Sequence, residues 1–151
     1  MASFWYQKGL EGCLDGSIDL DTDTIKVMLV TSGYTANKDH DFVSDLTPGS
    51  NELSGTGYTG GFGGSGRKSL ASKTVLVDDA TDVVNFDAAD VTWTAINAGT
   101  IRAAVLIKEI TNDAASRLIA YIDNAAEFPL TTNGGDVTIQ WNSGGILRIS
   151  A

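Results

Sequence analysis

The sequence has one cysteine and two prolines among its 151 residues. A single cysteine excludes an internal disulfide and indicates either a chain made in a reducing cytosol or one that is indifferent to redox conditions. No run approaches the ~20 consecutive apolar residues that a membrane-spanning helix needs. The first six residues also lack a basic region followed by a long apolar one. We therefore expect neither a membrane segment nor an export signal.

Basic residues and histidine are also scarce. Ten Lys and Arg stand against nineteen Asp and Glu, which gives a formal net charge of −9. An acidic surface repels phosphate backbones, so we expect no nucleic-acid partner. The one histidine, His40, has no marked nucleophile to activate, and no pair of carboxylates stands out as an acid/base couple. The sequence predicts a protein without catalytic residues, cofactor or metal.

The length fits one domain of about 100–150 residues, and we assign residues 1–151 to a single β domain. A short helix is predicted near its N-terminus because Tyr6, Leu10, Cys13 and Leu14 recur at helical spacing on one face. Gly16 is expected to end this helix. On that apolar face Cys13 is predicted to act as a small buried hydrophobe.

Strand-length apolar runs fill most of the remaining chain, and turn residues separate them about every ten to fifteen positions. The runs are 25–30, 74–77, 83–86, 91–96, 101–107, 118–122, 137–141 and 146–149. Short strands at this spacing, without long helical patterns between them, predict a mainly β fold: an antiparallel β-sandwich or open barrel. Residues 142–145 are predicted to form a tight hairpin turn.

Alternation along the strands predicts which faces are buried. In 91–95 and 137–141 the odd positions are apolar and the even positions are polar, so one face of each strand should meet water. Trp93 and Trp141 are accordingly predicted to lie in the core. Residues 103–107 are apolar throughout, which fits either a central strand covered on both faces or one whose outer face a partner subunit covers.

Residues 50–66 form a glycine-rich stretch without an apolar period, predicted to be a long loop or arm. Gly55 to Gly60 match the spacing of a dinucleotide-binding fingerprint, but the required flanking strand and helix are not predicted. Just beyond this stretch, a phosphate-loop pattern is out of register by one residue. Arg67 and Lys68 are instead predicted to form a small basic spot on the surface.

Two further segments have weaker patterns. Residues 39–46 could form one or two helical turns, with Asp39 or Asp41 as the cap and Pro48-Gly49 as the stop. Asp19, Asp21 and Asp23 alternate as at the start of a calcium loop, but the rest of that loop is missing. The alternatives are a weak surface cation site and a solvated turn between helix and strand.

Large aromatic side chains at the N-terminus suggest a contact surface. Phe4, Trp5 and Tyr6 lie on or beside a predicted N-terminal arm of residues 1–5, and such rings are favoured interface anchors. They either fold back on the domain or dock on a neighbouring molecule. The full predicted set of capsid or subunit contacts is Phe4, Trp5, Tyr6, Tyr58, Phe62, Arg67 and Lys68.

Both ends of the chain carry a family resemblance. The N-terminal part consists of YQKGLEG at 6–12 and DGSIDLDTDTIKV at 15–27, and the C-terminal part of LIAYID at 118–123 and NGGDVTIQW at 133–141. These stretches resemble small virion structural proteins of tailed bacteriophages, including capsid decoration (cement) proteins. Residues 50–66 depart from the shorter pattern of that family.

The resemblance implies a non-enzymatic protein that is made in the bacterial host cytoplasm and then sits on the outer capsid surface of the virion. Its implied partners are the major capsid protein and two further copies of itself, as a homotrimer. An alternative is a tail or fibre module that binds a host-surface glycan through exposed aromatic side chains. A small hydrolase using His40 is a third hypothesis.

Overall fold

The computed structural model of the chain describes residues 3–125 and 128–151. In chain order the elements are β1 (Phe4–Trp5), α1 (Gln7–Asp15), β2 (Ile25–Val30), a 3-10 helix (Val43–Leu46), α2 (Pro48–Asn51), β3 (Lys68–Ser69), β4 (Thr74–Asp78), β5 (Val83–Asp87), β6 (Val91–Trp93), β7 (Thr100–Ile101), β8 (Ala103–Lys108), β9 (Arg117–Ile122), β10 (Leu130–Thr131), β11 (Val137–Ile139) and β12 (Leu147–Ser150). The predicted mainly β fold with a short N-terminal helix is confirmed. The strands form several antiparallel sheets and do not close into a barrel.

The largest sheet has the order β1-β9-β8-β2-β3. A three-stranded sheet, β12-β5-β4, and two strand pairs, β10-β7 and β11-β6, complete the β structure of the described residues. Each predicted strand run contains a strand, but the run 101–107 is divided at Arg102 into β7 and β8. Because β7 pairs with β10 and β8 lies in the largest sheet, this one apolar run contributes a strand to each of two sheets.

The central strand β8 is buried on both faces by its own chain. Ala104 and Leu106 face a core shared with the smaller sheets, which contribute Trp93 and Phe86 among others. Side chains of the alternate positions of β8, such as Val105, pack in a second core. Of the two explanations for an all-apolar strand, the structure therefore supports coverage within one chain.

The predicted helix forms and ends at Gly16, whose φ of 79° is the left-handed conformation that glycine adopts without strain. The predicted buried face is wrong at one position, because Leu14 is 79% exposed. The face turned to the protein instead carries Gly9 and Gly12. Without side chains there, α1 approaches β9 closely enough that a Cβ on Gly9 would lie 2.6 Å from the Ile119 Cα.

Two turn predictions need correction. Residues 142–145 form a turn closed by the Gly145 amide donating to the Asn142 carbonyl at 2.8 Å, but not a hairpin. The strands on either side pair elsewhere, β11 with β6 and β12 with β5. The helical turns predicted over 39–46 reduce to the 3-10 helix, and Pro48 begins α2 instead of acting as a stop.

Candidate interaction surface

The described part of the predicted N-terminal arm folds back on the domain. Residues 1 and 2 of the arm lie outside the described residues. Phe4 and Trp5 form β1, which pairs antiparallel with β9 at the edge of the largest sheet. The Phe4 ring stacks on Tyr121 with centroids 5.3 Å apart. Both side chains of β1 remain half-buried, so each keeps some surface for contact.

Tyr6 is fully buried and cannot serve as a surface contact in this structure, which corrects the prediction for that residue. Its hydroxyl lies 2.9 Å from the Tyr34 hydroxyl, which in turn lies 3.0 Å from Nδ1 of His40. Burial and the hydrogen bond with Tyr34 raise the pKa of Tyr6 well above its usual range. His40 is thus occupied in a hydrogen-bonded chain that leads into the second core.

The prediction of a basic surface spot is wrong for Arg67, which is 3% exposed. Its Nε and Nη2 atoms donate to the two carboxylate oxygens of Glu52 at 2.9 and 2.7 Å. Its Nη1 donates to Asp113 at 2.6 Å and lies 3.6 Å from Glu109. Burial favours the neutral guanidine, but the hydrogen bonds to Glu52 and Asp113 outweigh it and raise the pKa of Arg67.

Glu52 anchors the glycine-rich loop in the interior. Its carboxylate accepts hydrogen bonds from the Tyr58 hydroxyl at 3.1 Å and the Gly61 amide at 2.9 Å, in addition to those from Arg67. Tyr58 is fully buried and its hydroxyl also accepts from the Leu29 amide at 2.9 Å. The loop therefore packs against the domain instead of projecting as an arm, and Tyr58 is not a surface contact.

Close packing also explains the glycine spacing in this loop. A Cβ on Gly55 would lie 2.7 Å from the Ala98 Cα, and one on Gly57 would lie 2.8 Å from the Ile96 Cα. The glycines thus let two backbone segments approach each other, and neither flank has the strand and helix of a dinucleotide site. Of the remaining predicted contacts, Phe62 is 45% exposed and Lys68 is half-buried in β3.

The largest group of exposed apolar side chains lies where the β12-β5-β4 sheet extends beyond the core. We call it the apolar overhang and define it as Leu14, Val75, Val77, Val84 and Ile149, all at least one-third exposed. The register places Val77 and Ile149 opposite Val84, and Val75 lies two residues from Val77, so these four side chains share one sheet face. Leu14 lies at the end of α1.

The overhang borders a groove of about 440 Å³ between α1 and this sheet. Phe86 and Leu147, on the same sheet face, are buried in the core at the inner end of the groove. Cys13 also lines it, and burial together with Asp15 raises the pKa of the Cys13 thiol to about 11. The thiol is therefore protonated at neutral pH and contributes apolar surface.

Asp19 and Asp21 stand at one edge of this groove. The interaction between the Asp19 and Asp21 carboxyl groups lowers the pKa of Asp19 and raises that of Asp21. The Asp19 carboxylate also accepts a hydrogen bond from the Thr22 amide at 3.3 Å. Asp23 accepts from the Asp19 amide and pairs with Lys108 at 2.5 Å. Across the described ranges, no group of three or more His, Cys, Asp or Glu could hold a metal ion.

A second concave surface lies beside β1. This cleft of about 480 Å³ is lined by two indole rings, those of Trp5 and Trp141, and by polar side chains that include Asn124, Gln140 and Arg148. Trp141 is half-buried, not fully in the core as predicted, and its indole nitrogen donates to the Ala89 carbonyl at 3.1 Å. We call it the aromatic cleft.

Comparison with known proteins gives no family model, curated protein or solved structure that matches this chain. In the part of the chain that the structure describes, no helix has the length and apolar character needed to cross a membrane.

The apolar overhang is not predicted from the sequence. Local pattern predicts a strand over 74–77, but the exposure of residues 75–77 depends on where the sheet ends relative to the core. The available signal was three consecutive apolar residues between Lys73 and Asp78. Such a run fits a strand covered on both faces, and only the structure shows that neither face of it is fully covered.

Proposed function

We propose that this chain is a capsid decoration protein of a tailed bacteriophage, which binds the major capsid protein on the outside of the head and stabilises the lattice without catalysis. The observation that carries the proposal is the apolar overhang. Contiguous exposed apolar side chains mark interaction sites, among them surfaces that dock on another protein. The resemblance of both chain ends to phage virion proteins supports the head as the place of docking.

The shape and charge of the domain also suit this function. Two buried cores and an internal ion cluster give a rigid body, and the net charge of −9 keeps decorated particles apart in solution. Many copies on one lattice turn modest individual contacts into high avidity. Of the predicted contact set, Phe4, Trp5, Phe62 and Lys68 retain exposed surface and join the overhang as candidates.

Replacing Leu14 by glutamine is expected to weaken binding to undecorated expanded heads by about 10- to 100-fold. Fully burying a leucine contributes about 1.5–3 kcal/mol, and each 1.4 kcal/mol is tenfold in affinity. Because Leu14 is 79% exposed, the domain should remain folded. Binding is measured by sedimenting heads with increasing protein, and the heat resistance of the particles gives a second measurement.

The matched control is Ile110→Gln, since Ile110 is an exposed apolar residue outside the overhang, at 46% exposure. We expect this variant to bind heads as the natural protein does. If the natural protein fails to sediment with heads, the proposed function is wrong. If it sediments but Leu14→Gln binds equally well, the docking surface is wrong and the function stands.

A second candidate function is supported by the aromatic cleft. Indole rings stack on the apolar faces of sugars, while amide and guanidinium groups donate to hydroxyls, so the cleft suits a host-surface glycan. The protein would then be a tail or fibre module.

Under this alternative, Trp141→Ala should reduce adsorption of the protein to host cells by about tenfold, because it removes a stacking ring. Trp141→Phe keeps an aromatic face and should retain most of the adsorption. Adsorption that is absent from the natural protein, or equal in all three proteins, would contradict the glycan site.

A further inference from the structure

The strand β4 presents an exposed apolar edge. Within the described residues its only strand neighbour is β5, so the backbone groups on its other side have no strand partner. Leu76 and Val77 are 63% and 69% exposed, and Val75 is also exposed. Residues 74–78 contain no proline or lysine. Their pairing with β5 runs from Thr74 to Asp78 without a bulge.

These are the features that natural proteins usually avoid at a free sheet edge, because such an edge pairs with another strand. Proline, lysine or a bulge would block that pairing, and β4 has none of them. An apolar edge strand that is kept open therefore indicates a binding edge. The backbone hydrogen bonds would supply affinity, and the side chains on either side would select the partner.

The sequence around β4 is complementary to a second copy of itself. Val75 and Val77 are placed symmetrically about Leu76, with Lys73 before the strand and Asp79 after it. In an antiparallel pair centred on Leu76, each Lys73 lies opposite Asp79 of the second copy. A parallel pair in register would instead place Lys73 beside Lys73 and Asp79 beside Asp79 of the second copy, and these like charges would repel each other.

We propose that two copies of this chain pair antiparallel through β4, with the two-fold axis at Leu76, and so form a continuous six-stranded sheet. Val75 of each copy then lies beside Val77 of the other, which makes the two overhangs adjacent on one face of the dimer. A two-fold contact of this kind is self-complementary and closed. It gives a dimer, in contrast to the homotrimer that the family resemblance implies.

The pairing does not depend on binding to a capsid and can be tested on the purified full chain by sedimentation at low salt over a range of concentrations. We expect a dimer. Lys73→Glu and Asp79→Lys should each weaken dimerisation by about tenfold, because the symmetry replaces two attractive pairs with two repulsive ones. The double variant Lys73→Glu/Asp79→Lys should return to within about threefold of the natural protein. High salt should reduce these differences.

Asp39→Lys is the matched control, because Asp39 is exposed and distant in sequence from β4 and its replacement changes the net charge as Asp79→Lys does. It should leave dimerisation unchanged. Thermal unfolding of each variant checks that the monomer remains folded. Any of four results would overturn the proposal: a monomer at all concentrations, a trimer, a dimer insensitive to both charge reversals, or a double variant whose dimerisation does not recover. A monomer that binds heads through β4 would show that the edge pairs with the capsid protein instead.

Discussion

Replacing Arg67 by methionine is expected to lower the free energy of unfolding by about 3–5 kcal/mol. Methionine fills much of the volume but removes the two hydrogen bonds that Arg67 donates to Glu52. The Glu52 side chain is 1% exposed and would be left as a buried charge with only Tyr58 and Gly61 as donors. A buried charge without its counter-ion is among the most destabilising changes in a core.

Chemical denaturation measures this loss, and three variants separate its causes. Arg67→Lys keeps the charge but lacks the planar guanidinium that bonds to Glu52 and Asp113 at the same time, so we expect an intermediate loss. Asp113→Asn alters the more exposed partner of Arg67, at 23% side-chain exposure, and should cost about 1 kcal/mol or less.

The double variant Arg67→Met/Glu52→Gln should be more stable than the sum of the two single losses predicts, because it no longer buries an unpaired charge. A single Arg67→Met variant within about 1 kcal/mol of the natural protein would show that the ion cluster contributes little, contrary to the expectation for a buried pair.

Replacing Gly9 by alanine is expected to destabilise the protein by about 2–3 kcal/mol, although helix propensity alone predicts a gain of about 1 kcal/mol. The added Cβ would lie 2.6 Å from both the Ile119 Cα and the Leu118 carbonyl oxygen. These are backbone atoms of β9, which cannot rotate away. The helix α1 must therefore lift off the sheet and lose part of its packing.

Gly49→Ala is the matched control for this change, because Gly49 lies in α2 without a positive φ, and a Cβ added there would have no heavy atom within 4 Å. Its effect should be neutral or slightly stabilising. The thermal midpoints of both variants test the prediction, and a Gly9→Ala protein as stable as the natural one would contradict it. Since α1 also carries Leu14, we expect Gly9→Ala to weaken head binding as well.

The sequence was sufficient for the features that depend on neighbouring residues. Alternation placed Val91 and Trp93 on the buried face and Thr92 on the exposed face, as the structure confirms, and it is wrong only at the end of that run, where Ala95 is exposed. The helix and its end at Gly16 followed from helical spacing and from the conformational freedom of glycine. Each of these features is determined by a few consecutive residues, whose preferences are visible in the chain itself.

The errors concern features that depend on distant residues. Local pattern predicts that Leu14 is buried, because apolar side chains at helical spacing usually face the core. In the structure α1 instead packs on β9 through Gly9 and Gly12, and Leu14 is exposed. Residues 142–145, Asn-Ser-Gly-Gly, have the composition of a hairpin turn, yet β11 pairs with β6 and β12 pairs with β5.

The β class, the overall acidity, the N-terminal helix and the longer strands could be predicted from local sequence patterns, whereas the two-residue strands β1, β3 and β10 could not. The burial of Arg67 and the exposure of 75–77 follow from tertiary contacts. Burial is a property of what surrounds a residue, and the carboxylates around Arg67 come from positions 52, 109 and 113. The same holds for the overhang, because a strand is exposed where the opposing core ends, and no local pattern encodes that boundary.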